Sequence, residues 1–172
     1  MRYFNGFSLS GEETLFDRYI IDDSDFTVVG FSYGAQEAFE YLYRNRTDRI
    51  ERLILLSPAY FQDEKRSFIR TQLRYFDQDR DSYIEQFLKS VSYPSCIDIS
   101  SYLNIGSRDQ LESLLRYRWE SSRVKELLDR GVDIEVYIGG RDKIVDSSKA
   151  FEFFSSLTTT YLIKDSGHIL SN

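Results

Sequence analysis

Ser32 sits at the centre of Gly30-Phe31-Ser32-Tyr33-Gly34, a G-x-S-x-G pentapeptide. An apolar β-branched run (Thr27, Val28, Val29) precedes it, and a good helix former, Ala35 to Glu40, follows. Strand, G-x-S-x-G and helix together make a nucleophile elbow. The turn is so tight that a Cβ two positions to either side of the serine would clash, hence the glycines. The serine is expected in a strained backbone conformation with its hydroxyl raised above the sheet. The free N–H groups of the following helix then point where negative charge would develop. A hydroxyl is a poor nucleophile near neutrality unless a base takes its proton and an anion orients that base. The one histidine of the chain, His168, lies in a loop after the last apolar run, Thr159 to Ile163. Asp142 follows the run Ile134–Ile138 through a Gly-Gly turn, where a carboxylate would meet that loop. Asp146, before Ser147-Ser148-Lys149, suits a helix N-cap better, and Asp165 reads as an exposed loop carboxylate.

An oxyanion formed at Ser32 needs two donors. The Tyr33 backbone N–H, next after the nucleophile, supplies one. The loop after the first strand, Asn5-Gly6-Phe7, supplies the other, and the Phe7 N–H is the candidate.

These groups meet only if a sheet brings strand ends together. Strands are expected at Arg2–Phe4, Phe26–Val29, Leu53–Leu56, Ile134–Ile138 and Thr159–Ile163. Helices are expected over Glu12–Ile21 and Gly34–Arg44, with a polar turn at Asp22–Asp25 between the first of these and the elbow strand. From about residue 59 to 128 the pattern is helical only. One of those helices opens with a capping box at Ser107 and Gln110, and the last closes at Gly131. Asp146 caps a helix running to about Phe154. The expected class is α/β: about five strands, mostly parallel, with helices on both faces. The chain reads as one domain over residues 1–172, with a helical lid at 59–128 above the strand ends where Ser32 sits.

Composition narrows the chemistry. The net charge of −6 argues against general affinity for nucleic acid or anionic membranes. One histidine and one cysteine leave no ordinary metal cluster, and no cofactor is expected. Cys96 excludes an internal disulfide, fits a reducing compartment and is expected in the core. The N-terminus shows no signal-like apolar run and no stretch reaches ~18 apolar residues, so a cytoplasmic protein is expected.

Asn5-Gly6-Phe7, Gly30–Gly34, Leu55-Leu56-Ser57-Pro58, Gly139-Gly140-Arg141-Asp142 and Gly167-His168 resemble the short α/β-hydrolases of BioV type, the pimelyl-[acyl-carrier protein] methyl ester esterases of biotin synthesis. The resemblance implies a minimal α/β-hydrolase fold. It also implies hydrolysis of a methyl ester at the far end of a pimelyl chain carried by acyl-carrier protein. Ser32 would be nucleophile, His168 base and Asp142 its partner, with Phe7 and Tyr33 holding the oxyanion. The first two strands of larger hydrolases, their strand between the first helix and the elbow strand, and their final helix have no obvious counterpart, which puts the His168 loop near the chain end and suggests mobility. A small acyl thioesterase or nonspecific esterase would carry the same residues, and an inert hydrolase-like binding protein is the alternative outside enzymes. Carrier proteins are acidic, so docking on an acidic enzyme needs a local basic patch. Arg66, Arg70 and Arg74, spaced four apart with Lys65 adjacent, form such a stripe. Phe68, Ile69, Leu73 and Phe76 lie opposite. The plainer role for the stripe is a solvated face paired with Asp63, Glu64 and Asp77.

Overall fold

The computed structural model describes residues 1–21 and 24–172. Residues 22 and 23, in the polar turn expected at 22–25, lie outside the described residues. Five strands, β1 (Arg2–Phe4), β2 (Thr27–Phe31), β3 (Arg52–Leu56), β4 (Asp133–Gly139) and β5 (Thr159–Ile163), pair side by side in chain order, all parallel. Each falls on the apolar run that marks it in the sequence. β2 runs two residues beyond the expected Val29, to Phe31, so that the strand leads straight into the serine. The register pairs Phe31 with Leu56 and Gly139 with Ile163. The residues after β1, β2, β4 and β5 therefore leave the sheet along one edge, the edge the chemistry requires.

Six α-helices among the described residues complete the architecture: α1 (Tyr33–Arg44), α2 (Arg66–Gln78), α3 (Arg80–Ser92), α4 (Arg108–Arg116), α5 (Ser121–Asp129) and α6 (Ser147–Ser155). Their ends follow local chemistry. Ser107 accepts the Gln110 N–H while the Gln110 side chain accepts the Ser107 N–H, the reciprocal cap expected there. Asp146 accepts the Lys149 N–H and starts α6.

Successive residues of a strand face opposite sides, so the central strands build two cores. On one side Val28, Leu53, Leu55, Ile134, Val136 and Ile138 meet α1, α5 and α6 through Phe39, Leu42, Leu127 and Phe154. On the other side Val29, Phe31, Ile54 and Leu56 meet a thinner cover: Phe16, Tyr19, Val91 at the end of α3, Ile99, Ile169 and Leu170. A third core joins α2, α3 and α4 over the edge of the sheet, from Ile69, Leu73, Phe76, Ile84, Leu111 and Leu114 to Phe7. The helical stretch at 59–128 thus divides, with α5 packed on the sheet and α2–α4 around the third core.

Three expectations are corrected. The helix expected over Glu12–Ile21 is a 3₁₀ segment of five residues, Glu12–Phe16, followed by turns. Phe16 and Tyr19 reach the core from that short path, and Glu12 turns inward. Cys96 is exposed, because it occupies the turn after α3 while Val91 and Ile99 take the core positions around it. The segment after His168 is packed rather than loose: Ile169 and Leu170 are fully buried, and the Leu170 carbonyl accepts hydrogen bonds from Tyr19 Oη (3.0 Å) and Arg18 Nη2.

Candidate active site

The elbow is built as the pentapeptide requires. Ser32 lies between β2 and α1 at φ 55°, ψ −112°, a region costly for any residue with a Cβ. Its N–H donates to the Leu56 carbonyl (2.9 Å), and its carbonyl accepts the Ala59 N–H (3.1 Å), so the end of β3 clamps the strained residue from the side. A Cβ on Gly30 would stand 2.2 Å from the Gly34 carbonyl oxygen, and one on Gly34 would stand 2.0 Å from that of Phe4. Both contacts are with backbone, which has no rotamer to yield. The second also shows that the chain leaving β1 runs directly against the elbow.

Three side chains from three strand ends meet there. His168 Nε2 is 2.9 Å from Ser32 Oγ, and His168 Nδ1 is 2.7 Å from Asp142 Oδ2. Asp142 Oδ1 accepts the N–H groups of Ile144 (2.7 Å) and Val145 (3.2 Å), which fix its rotamer and leave Oδ2 for the imidazole. The His168 ring and the Asp142 carboxylate are fully shielded from solvent. The Phe31 ring lies 5.1 Å from the imidazole, centroid to centroid. With Oδ2 as acceptor, the proton belongs on Nδ1, and Nε2 is left free to accept from the Ser32 hydroxyl. The rivals lie elsewhere: Asp146 caps α6, and Asp165 is exposed.

Of the two residues named for their backbone donors, Tyr33 follows the serine as the first residue of α1, and Phe7 lines the same cavity as Ser32. Among the described residues, neither N–H is taken up by a hydrogen bond. Phe7 and Ser32 both line a cavity of about 560 Å³ that opens over the strand ends. Its inner wall is apolar: Phe61, Phe68, Phe87, Leu111, Leu114 and Ile144. Its outer rim, from α2 and α3, is polar, with Gln72, Gln78, Ser82 and Gln86. Tyr83 donates to Gln72 Oε1 (3.0 Å) in this wall, and burial pushes its phenol up to about 12, so it stays a donor at neutral pH. Sequence spacing indicates the apolar side of α2 but not this rim, which exists only where α2 meets α3.

Lys65, Arg66, Arg70 and Arg74 are all exposed along α2, with Ile69, Leu73 and Phe76 buried on the opposite side. None of the four makes an ion pair among the described residues, and Asp77, a partner considered for them, pairs with Arg108 instead (3.1 Å). The described residues contain no cluster of His, Cys, Asp and Glu able to hold a metal ion, and no helix long and apolar enough to cross a membrane.

The fold has clear relatives among solved structures. An esterase from Exiguobacterium antarcticum superposes with a TM-score of 0.67 at 18% identity, over 83% of this chain and 59% of its own. A putative aryl esterase from Burkholderia cenocepacia gives 0.67 at 14% identity, over 98% and 82%. BioG from Haemophilus influenzae gives 0.59 at 13% identity, over 97% and 87%. This chain has the α/β-hydrolase fold. At these identities the likeness is one of fold, and the chain spans about three fifths of the length of the Exiguobacterium esterase. No protein-family model and no curated protein matches the sequence. Within the hydrolase fold, Glu12 is the buried group that sequence spacing overlooks: it lies 0% exposed behind the loop that carries Phe7. Its place at the head of an apolar-spaced run reads as the start of a helix, and only the folded loop reveals its partner.

Proposed function

We propose that this chain is a serine carboxylesterase that hydrolyses the methyl ester of a pimelyl chain held on acyl-carrier protein. The observation that carries the hydrolase reading is the hydrogen-bonded line from Asp142 through His168 to Ser32, opening into an apolar cavity. The pimelyl substrate rests on the sequence resemblance to BioV-type esterases. An elongated apolar acyl chain suits the inner wall, and the exposed cations of α2 suit an acidic carrier.

In this reading Ser32 Oγ attacks the ester carbonyl carbon as His168 Nε2 takes the hydroxyl proton. Asp142 stabilises the resulting imidazolium and holds its tautomer. The carbonyl oxygen, now negative, accepts from the Tyr33 and Phe7 N–H groups. Collapse breaks the bond to the methoxy oxygen, which leaves as methanol with the proton from His168. Water then attacks the acyl–Ser32 ester with His168 again as base, releasing the acid and restoring the hydroxyl. The product carries a new carboxylate, an anion poorly matched to the apolar wall, which favours its departure.

Incubation with the methyl-pimelyl carrier protein tests this directly. Methanol and a carrier bearing a free terminal carboxylate are expected. Release of the carrier thiol would make the enzyme a thioesterase of the same fold. Absence of a fluorophosphonate adduct on Ser32 in folded protein would remove the hydrolase reading altogether.

A further inference from the structure

Glu12 is fully buried, and a buried carboxyl needs a reason. Its Oε1 accepts the Gly6 N–H at 2.6 Å and the Tyr3 hydroxyl at 3.4 Å. Its Oε2 is buried with no hydrogen-bond partner among the described residues. An apolar side chain would fill that volume without leaving an oxygen stranded. What the carboxyl accomplishes is a grip on Gly6.

The other end of Gly6 is gripped as well, since its carbonyl accepts the Leu9 N–H at 3.2 Å across a turn in which Ser8 adopts φ 58°. The Gly6–Phe7 peptide is planar and trans, so its carbonyl and its N–H point in opposite directions. With the carbonyl turned toward Leu9, the Phe7 N–H is turned away from that turn. Asn5 Oδ1 ties the loop back to the same segment by accepting the Gly11 N–H at 3.0 Å.

We propose that Glu12 is a positioning residue for the reaction: by holding the Gly6 N–H it fixes the Asn5–Gly6 peptide and, with the Gly6 carbonyl held by the Leu9 N–H, seats Gly6 so that the next peptide turns the Phe7 N–H toward the oxyanion. The proposal rests on the esterase reading above. Burial pushes the Glu12 carboxyl above its usual range, toward the neutral form, which places less negative charge behind a developing anion. An acceptor, rather than a charge, is then the required chemistry, and glutamine should serve.

The test uses the full chain, a p-nitrophenyl acyl ester and two inhibitors: an alkyl trifluoromethyl ketone, which adds Ser32 to form a tetrahedral oxyanion, and the planar methyl ketone of the same length. Glu12→Leu should lower kcat about ten-fold or more with KM within about two-fold, since a donor moved by a fraction of an ångström loses most of its effect. Trifluoromethyl ketone affinity should fall in parallel while methyl ketone affinity holds. Glu12→Gln should restore kcat to within about three-fold of the parent. If Glu12→Leu does not fold, Glu12→Asp, with a shorter reach to Gly6, should show the same kcat loss. Unchanged kcat in the Leu or Asp variant, a Gln variant as slow as the Leu variant, or equal loss of both inhibitors overturns the proposal. Parent protein that forms no Ser32 adduct with a fluorophosphonate takes down the esterase reading and this one together. An adduct with kcat indifferent to residue 12 takes down this one alone.

Discussion

The two faces of the sheet are closed in different ways. One carries three α-helices, α1, α5 and α6, whose apolar stripes meet the strands through large side chains such as Phe39, Leu127 and Phe154. Among the described residues, the other has no comparable helical layer. Its cover is pieced together from the 3₁₀ segment that holds Glu12, the exit of α3, and the two residues after His168. The first face can be understood from helix packing alone. The second is closed by the same segments that carry Glu12 and follow His168. Stability and chemistry should therefore be separable on the helical face and entangled on the other.

The largest expected effect belongs to neither face. Ser32→Ala should reduce turnover by about 10⁴-fold or more while leaving the melting temperature near that of the parent, since only one oxygen is removed. Asp142→Asn should cost about 10²–10⁴-fold in kcat, because an amide at Oδ2 can donate toward Nδ1 and favour the wrong tautomer. Steady-state kinetics on a small ester reads both, and activity retained in either variant would detach the site from the fold that frames it.

The comparison itself is tested by matched truncations. Leu127 and Leu170 are both fully buried, on the helical and the thin face respectively. Each alanine variant should lose about 2–5 kcal/mol of stability. Activity per folded molecule should hold in Leu127→Ala and drop several-fold in Leu170→Ala, whose residue lies two positions from the imidazole. Equal activity in both would mean that the thin face is cover and nothing more. A smaller effect is expected at the surface: reversing Arg70 and Arg74 to Glu should raise KM several-fold for a carrier-bound ester and leave a small ester unaffected. The smallest is Asp146→Ala on the helical side, costing about 1 kcal/mol with no change in kcat. The Lys149 N–H holds the Asp146 carboxyl below its usual range. Its contribution is therefore present above the unfolded-state pKa and lost as pH falls through the folded one, so parent and variant should converge in acid.

The parts of this molecule legible from sequence are those set by local stereochemistry. Gly30 and Gly34 announce a turn that tolerates no Cβ, the run at Leu53–Leu56 announces a strand covered on both sides, and Ile134–Ile138 announces a strand. Ser32, Asp142 and His168 follow from that frame because each sits just past a strand. Glu12 was not legible, since its partner is the main chain of Gly6, six residues away across a loop. The apolar spacing of Leu15, Phe16, Tyr19 and Ile20 fits a helix and a 3₁₀ segment followed by turns equally well. The exposure of Cys96 escapes the sequence for a related reason: burial of a small side chain is decided by its neighbours' packing, not by its own type. The polar rim of the cavity needs the relative placement of two helices, which no single periodicity encodes.

Gly167 shows how closely the helical stretch and the base are joined: a Cβ there would fall 1.7 Å from the Tyr93 carbonyl oxygen. The backbone just after α3 thus presses on the residue preceding His168. Esterases are often imagined as a constant engine beneath interchangeable hoods, with new substrates reached by grafting one hood for another. In this molecule a graft that replaced residues 66–92 but brought a foreign junction at 93–94 would disturb the engine too. Chimeras should keep the native Tyr93–Pro94 seam and exchange only what lies upstream of it.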